Sequence, residues 1–300
     1  MSDAGMVERR GRFPLAALLA GATAIGLAPI FVRLSELGPT ATAFHRQFLS
    51  LPVLALWLSW ARVAGPAAGG IPGRGMHALF AAGLFFAADL AVWHRAIGIT
   101  SVANATLLAN FAPVFVAAAG WLWWRERVRS GLALGFLLAF GGAAVLMAHS
   151  LTLDTRRLGG DALGLLTAVF YAGYLTLVAR SRSRYATAIV MFVTSAASAA
   201  ALLPLALLSG ENLVPATTRG WLVLSGLAFV SHAAGQGLIA YALAHLPAAF
   251  GAVSLLWQPV AAALFAFLIL DEPLGAWQLA GAALVLSGIA TARNASLGGR

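Results

Sequence analysis

The chain alternates between long apolar blocks and short polar stretches. The blocks are about 17–23 residues long, and about 20 residues of α-helix cross the roughly 30 Å hydrocarbon core of a bilayer. Each block is therefore predicted to be a membrane-spanning helix. The ten predicted spans cover residues 13–32, 42–61, 76–97, 101–123, 130–149, 161–180, 186–208, 219–241, 247–270 and 275–292.

The two halves of the chain repeat one another at a constant offset of 146 residues. Each repeat contains five spans, an odd number, so the second repeat enters the membrane from the opposite side. Such inverted repeats enclose a central site that either half can close, which is typical of transporters. A purely structural duplication is the alternative. Identical residues recur at this offset in four informative pairs: Pro113 and Pro259, Glu126 and Glu272, Gly135 and Gly281, and Gly142 and Gly288.

The composition excludes a water-soluble surface. Hydrophobic residues make up 61% of the chain and charged residues only 10%, whereas charged residues make up about 25% of a soluble domain. We therefore predict an all-α integral membrane protein made of two inverted five-helix repeats. Its predicted parts are an N-terminal tail at 1–12, a first repeat at 13–150, a second repeat at 161–293 and a C-terminal tail at 294–300.

All 19 basic residues are arginines, and their distribution predicts the orientation of the chain. Thirteen fall on the side that holds both termini, five fall on the opposite side, and Arg46 lies within a span. By the positive-inside rule, both termini are predicted to be cytoplasmic. We expect these arginines to contact lipid head groups rather than nucleic acid. Arginine without lysine in an alanine-rich chain points to a GC-rich bacterium, and hence to the bacterial inner membrane.

Other classes of chemistry lack the residues they require. The chain has no cysteine, its six histidines show no pairing at metal-ligand spacing, and it contains no phosphate-binding loop or nucleophile motif. We therefore expect no cofactor, no metal and no enzymatic activity. The oligomeric state stays open and is compatible with a monomer.

Polar side chains at membrane depth are costly, so they are expected to face the bundle interior or water. Asp89 lies four residues before Trp93 and therefore on the same helix face. It is a candidate for proton exchange or for pairing with a substrate ammonium group. Alternatively, it is a structural charge paired with His94 or with an arginine of a neighbouring helix. The predicted lining of the substrate cavity consists of Asp89, Trp93, Asn110, His232, Gln236, Ser254, Trp257 and Gln258.

Two further pairs of residues have both a functional and a structural interpretation. His45 and Arg46 begin span 2, where they are candidates either for binding a substrate carboxylate or for tying helices together. Pro113 and Pro259 occupy equivalent positions, where each removes a helix hydrogen bond and provides a hinge for alternating access. Prolines in membrane helices also occur without such a function.

The stretch Ala-Ile-Gly-Ile-Thr-Ser-Val-Ala-Asn-Ala at 96–105, together with Pro113 and Glu126, resembles the EamA-type family of the drug/metabolite transporter superfamily. The second copy, with Pro259 and Asp271-Glu272-Pro273, and the segment Phe44-His45-Arg46-Gln47-Phe48-Leu49 resemble it too. The resemblance implies ten helices in two EamA repeats around a cavity lined mainly by spans 3, 4, 8 and 9. Among family members, the chain looks most like bacterial exporters of amino acids, including aromatic ones.

We therefore expect a secondary transporter that exports amino acids, or related small amphipathic metabolites, across the bacterial inner membrane by alternating access. The solute gradient or proton exchange would supply the energy, with Asp89 and His232 as candidate titrating groups. A multidrug or organic-cation exporter of the same fold is the main alternative. A membrane-embedded enzyme or cofactor-bearing subunit is a third, for which the sequence offers no paired ligands or paired acids.

Overall fold

The structure, a computed structural model, describes residues 3–63, 76–97, 99–100, 102–125, 129–148, 158–182, 184–270 and 274–297. Glu126 and Glu272, one of the repeat-related pairs, lie outside these ranges. The described chain is helical and contains one π-helical segment, Leu227–Gln236. The α-helices are α1 (Asp3–Gly26), α2 (Ala28–Leu34), α3 (Pro39–Phe48), α4 (Ser50–Val63), α5 (Met76–Ile97), α6 (Val102–Ala109), α7 (Ala112–Trp124), α8 (Ser130–Met147), α9 (Leu158–Ser181), α10 (Thr187–Leu208), α11 (Thr218–Gly226), α12 (Gly237–Ala242), α13 (Ala248–Ser254), α14 (Trp257–Leu270) and α15 (Ala276–Leu297).

Four of the long helices are interrupted just before a proline. A proline has no N–H group and its ring clashes with the carbonyl four residues earlier, so the preceding turn cannot keep its regular hydrogen bonds. Breaks therefore occur at both predicted hinge prolines, and also in the first and second predicted spans. The breaks fall at Leu27, Leu49, Asn110–Phe111 and Leu255–Leu256, followed within three residues by Pro29, Pro52, Pro113 and Pro259.

Eight helical segments in the described ranges are long and apolar enough to cross a membrane. They coincide with the predicted spans 1 and 3 to 9. Predicted spans 2 and 10 are helical too, as α3–α4 and α15, but they do not meet the same length and hydropathy criteria. In α3 the polar sequence His45-Arg46-Gln47 lowers the hydropathy of the segment. The all-helical membrane architecture is therefore confirmed, whereas the count of ten spans remains a prediction.

The last helices of the two repeats, α8 and α15, pack against each other through glycines. A Cβ atom added to Gly142 would lie 2.6 Å from the carbonyl oxygen of Gly281, and one added to Gly281 would lie 2.7 Å from the carbonyl oxygen of Gly142. The backbones thus touch where side chains would separate them. The equivalent pair at the 146-residue offset, Gly288 and Gly135, approaches as closely (2.5 and 2.7 Å), as expected of two repeats related by a pseudo-two-fold axis.

The first span of each repeat packs on the third span of the other. Helix α9, the first span of the second repeat, packs along α5, the third span of the first repeat. In the same way, α1 packs along the π segment and α12, which form the third span of the second repeat. The main hydrophobic core accordingly contains residues of both halves, including Leu18, Leu79, Leu175 and Ile239. The two repeats therefore share one hydrophobic core.

Contacts between helix ends agree with the predicted orientation of the segments. Each of four hydrogen bonds joins two stretches that the ten-span topology assigns to the same side. The bonds join Thr100 to Asp161 (2.6 Å) and Ala41 to Glu211 (2.8 Å) on the predicted outer side, and Arg129 to Ala295 (2.9 Å) and Arg182 to Ala240 (3.2 Å) on the predicted inner side.

Candidate functional site

A cavity of about 120 Å³ lies between the two repeats. Its wall includes residues at or beside the helix breaks that precede Pro29, Pro113 and Pro259. Helices α3, α5, α6, α9 and α14, the π segment and the α1–α2 break all contribute to its wall. This set adds the first, second and sixth predicted spans to those that the sequence indicated. The polar and aromatic lining consists of Arg46, Phe86, Asp89, Trp93, Thr106, Asn110, Thr167, Tyr171, Gln236 and Gln258. We call this space the central cavity.

One face of α5 supplies three side chains to the central cavity. Phe86, Asp89 and Trp93 follow the helical spacing of three and four residues, which places them on one stripe. Because α5 packs against α9 and α10 on its other faces, this stripe is the one that remains turned toward the cavity.

Two opposite charges face this cavity from different helices. Asp89 on α5 is 7% exposed and Arg46 on α3 is 6% exposed. The guanidinium carbon of Arg46 lies 5.7 Å from the centroid of the Phe86 ring, which in turn stacks on Tyr174 at 4.5 Å. This packing fixes the position of the cation. Electrostatic interactions at such a site are stronger than in water because the surroundings have a low dielectric constant.

Several nitrogen donors of the lining are buried without a partner among the described residues. They are Nε of Arg46, Nδ2 of Asn110, and Nε2 of Gln236 and Gln258. Buried polar atoms in proteins are nearly always hydrogen-bonded, so unpartnered ones at a cavity wall indicate a place where a ligand or water bonds. N–H groups suit acceptor atoms, and a carboxylate offers two acceptor oxygens.

Three residues predicted to line the cavity lie in the packing around it. The His232 ring stacks on Phe86 at 5.6 Å, and its Nε2 lies 2.7 Å from Oγ of Ser195. Two others form hydrogen bonds within the helix bundle. Ser254 donates to the carbonyl of Phe250 (2.9 Å), and Trp257 Nε1 donates to Oγ1 of Thr23 (2.9 Å). Five of the eight predicted residues are thus brought together: Asp89, Trp93, Asn110, Gln236 and Gln258.

The two members of each remaining predicted pair lie in different surroundings. Arg46 faces the central cavity, whereas Nδ1 of His45 lies 2.9 Å from the carbonyl of Ala41 and its ring contacts Trp221. Pro259 lines the central cavity, whereas Pro113 lines a separate apolar groove between α7, α8 and α13.

The sequence interpretation missed Tyr171 and Thr167 on α9 and Phe86 on α5. The repeat offset was the signal that could have found one of them, because Phe86 is equivalent to His232, which was predicted to line the cavity. In the described ranges, no group of three or more His, Asp or Glu side chains is placed to hold a metal ion.

Comparisons with known proteins agree with this architecture. Residues 12–148 and 158–293 each match the sequence model of the EamA-like transporter family. A protein of Archaeoglobus fulgidus described as an uncharacterized transporter is 28% identical over 270 residues, which cover 87% of this chain and 90% of that protein. The pseudopaline exporter of Pseudomonas aeruginosa is 28% identical over 214 residues, which cover 71% of this chain and 73% of the exporter.

A solved crystal structure has the same fold. It superposes with a TM-score of 0.77, covers 94% of this chain and 98% of its own, and is 19% identical in sequence. At that identity the likeness concerns the arrangement of helices and carries no information on the substrate.

Proposed function

Because the chain belongs to the EamA-like transporter family, we propose that it exports amino acids, including aromatic ones, or related small amphipathic metabolites by alternating access. Family membership and the relatives indicate a membrane transporter of small molecules rather than an enzyme. The pseudopaline exporter among the relatives supports export of a metabolite. The bacterial inner membrane, with both termini in the cytoplasm, is the proposed location.

The observation that carries the proposal is that Arg46 and Asp89 face one cavity from separate helices. A guanidinium binds a carboxylate in two-point geometry, and a buried carboxylate binds an ammonium group. An amino acid carries both of these groups on neighbouring atoms. Trp93 and Tyr171 add flat aromatic surface for an amphipathic side chain.

The size of the cavity supports a transport cycle that bends helices. Its volume of about 120 Å³ is below the about 300–1,000 Å³ of typical ligand sites. An aromatic solute therefore requires the wall to move outward. The breaks before Pro29 and Pro259 lie in that wall, where the backbone lacks a regular hydrogen bond and bends at low cost.

Export of an organic cation is the second candidate function, and Asp89 favours it. Arg46 opposes it, because a second cation in the same low-dielectric cavity repels the solute. Proton exchange is proposed at Asp89, which faces the cavity, rather than at His232, which is packed in the wall against Ser195. Transport driven by the solute gradient alone remains the alternative.

The test is transport by purified protein in liposomes, with a panel of labelled amino acids and organic cations, with and without a pH gradient. Each amino acid is compared with its carboxamide, which keeps the ammonium group and lacks the carboxylate. We expect Arg46→Gln to lower amino-acid transport by about tenfold or more, the value of one charge-assisted hydrogen bond. Transport of the carboxamide, a cation that Arg46 repels, should not fall.

Arg95→Gln is the matched control, because Arg95 is exposed at the outer end of α5 and does not line the cavity. Preferential transport of carboxamides and organic cations by the unaltered protein would replace the amino-acid proposal with the cation-exporter function. Absence of transport for the whole panel would contradict both.

A further inference from the structure

A second cavity, of about 450 Å³, lies nearer the predicted inner side of the membrane. Helices α7 and α9, the segment that joins α12 to α13, and the start of α13 surround it. Its wall is apolar apart from two side chains, and includes Gly120, Thr176, Arg180, Leu243, Leu246 and Ala249. We call this space the inner cavity. Its volume falls within the range of about 300–1,000 Å³ that small-molecule sites occupy.

The two polar side chains of the inner cavity lie one turn apart on the same face of α9. Thr176 is 8% exposed, whereas Arg180 is exposed at the end of the helix. The hydroxyl therefore belongs to the buried part of the cavity and the guanidinium to its rim. Both groups donate hydrogen bonds, and one is cationic, so together they suit an anionic acceptor.

The Thr176 hydroxyl lacks the hydrogen bond that the hydroxyls of Thr167 and Thr194 form. A helical threonine normally bonds to the carbonyl four residues earlier, and Thr167 on the same helix bonds to Leu163 in this way at 3.0 Å. Thr194 likewise bonds to Val190 at 2.8 Å. Oγ1 of Thr176 has no hydrogen-bond partner within the described chain. Its donor is therefore available to a molecule in the inner cavity.

Helix α9 contributes to both cavities. Tyr171 lines the central cavity and Thr176 the inner one, and five residues of α-helix correspond to about 7.5 Å along the axis. The arginine distribution assigns the inner cavity to the cytoplasmic side. An exported solute approaches the central cavity from that side.

We propose that the inner cavity is a loading site, at which Arg180 and Thr176 bind the carboxylate of the solute before it enters the central cavity. This proposal rests on the proposed export of amino acids or similar carboxylates. The apolar wall formed by Leu243, Leu246 and Ala249 accommodates the solute's side chain. An anionic lipid headgroup would present similar chemistry at the rim, and the experiment distinguishes it from the solute.

The experiment uses a single cysteine in a chain that has none of its own. Ala179 lines the inner cavity, so Ala179→Cys reports its occupancy through the rate of labelling by a thiol reagent. Labelling is measured in inside-out vesicles with increasing concentrations of the best-transported amino acid. We expect the amino acid to slow labelling and its carboxamide to have little effect, since the carboxamide lacks the carboxylate.

Second substitutions then identify the binding groups. Arg180→Gln should raise the half-protecting concentration about tenfold and Thr176→Val about fivefold, as expected for loss of a charged and a neutral hydrogen bond. Arg184→Gln is the control, because Arg184 is exposed on the same side and does not line the inner cavity. It should leave protection unchanged, as should Arg46→Gln, which alters only the central cavity.

If the unaltered protein transports amino acids, any one of three results would contradict the loading site. They are unchanged labelling in the presence of the solute, equal protection by the carboxamide, and loss of protection in Arg46→Gln. Protection by added anionic phospholipid with none by the amino acid would assign the cavity to lipid. If the unaltered protein transports no amino acid, the proposed function itself fails and the loading site fails with it.

Discussion

Phe86 and His232 occupy equivalent positions in the two repeats, 146 residues apart, and their rings stack on each other. The two residues make different contacts at the interface between the repeats. Phe86 supports Arg46 at the central cavity, whereas His232 turns to Ser195 in the wall. The duplication thus provides a symmetric framework, and differences at equivalent positions place the charges, because Arg46 and Asp89 are equivalent to Phe192 and Gly235.

Asp89→Asn separates the binding of an ammonium group from a structural role. The substitution keeps the size of the side chain and removes its charge. We expect transport of a zwitterionic amino acid to fall about tenfold or more, because the ammonium group loses a charged hydrogen bond. Transport of the N-acetylated amino acid, an anion that Asp89 repels, should not fall when measured in the same liposomes.

Equal loss of both solutes would contradict the ammonium role of Asp89 and favour a structural charge. The comparison is made at one fixed pH without a gradient, so that any proton exchange at Asp89 does not enter the measurement.

At the scale of helices, the sequence predicts the elements well because apolar blocks of spanning length have few alternatives in a bilayer. It also predicts the breaks at Pro113 and Pro259, since a proline inside a helix has a local effect. The neighbours of a side chain depend on how helices pack, which periodicity along one helix does not specify. Trp257 and Gln258 are adjacent in sequence, yet only Gln258 lines the cavity.

Helices α8 and α15 provide a test of packing that involves no polar group. Gly142→Ala places a Cβ atom 2.6 Å from the carbonyl oxygen of Gly281, whereas the neighbouring Gly141 has no atom within 4 Å of an added Cβ. Overpacking typically costs about 1–3 kcal/mol. We expect Gly142→Ala to lower the thermal unfolding temperature of the protein in detergent and Gly141→Ala to leave it unchanged. Equal unfolding temperatures would contradict the close approach of the two backbones.

Two carboxylates join helix ends on the predicted outer side. Glu211, before α11, accepts hydrogen bonds from the backbone of Thr40 and Ala41 at the start of α3. Glu36, before α3, accepts hydrogen bonds from the backbone of Ala216 and from the backbone and hydroxyl of Thr217, just before α11. Glu211 thus meets N–H groups in the first turn of α3. Glu36 instead holds Thr217, the N-cap residue of α11, whose hydroxyl accepts a hydrogen bond from the N–H of Gly220.

The Glu36 contact predicts a dependence of stability on pH. Hydrogen bonds, chiefly that from the Thr217 hydroxyl, hold the pKa of the Glu36 carboxyl below its usual value of 4.5. A group whose pKa is lower in the folded state stabilises that state above its unfolded pKa, and this stabilisation is lost as the pH falls through the folded pKa. We expect the unfolding temperature of the unaltered protein to exceed that of Glu36→Gln at pH 7. The difference should be lost as the pH falls through the folded pKa of Glu36, which lies below the usual 4.5. A difference that is independent of pH would contradict this role.

At the scale of the whole molecule, the opposite orientation of the repeats can be tested at equivalent positions. Ile99 and His245 are 146 residues apart and both are exposed. Inverted repeats place them on opposite sides of the membrane. We expect an impermeant thiol reagent to label Ile99→Cys only from outside and His245→Cys only from inside. Labelling of both from one side would remove the basis for a shared passage between the halves.

Alternating access further requires that contacts between the repeats on the outer side break during each cycle. Thr100 of the first repeat donates a 2.6 Å hydrogen bond to Asp161 of the second, so cysteines at these two positions lie within reach of a disulfide. We expect oxidation of Thr100→Cys/Asp161→Cys to stop transport and a reductant to restore it.

The controls are the single variants Thr100→Cys and Asp161→Cys, which cannot form a disulfide within one chain. Oxidation should leave their transport unchanged, which separates the effect of the crosslink from that of the substitutions. If the fully crosslinked Thr100→Cys/Asp161→Cys protein transports at the unaltered rate, the outer ends do not separate. Solute would then have to leave the central cavity while α9 and the α5–α6 connection stay in contact.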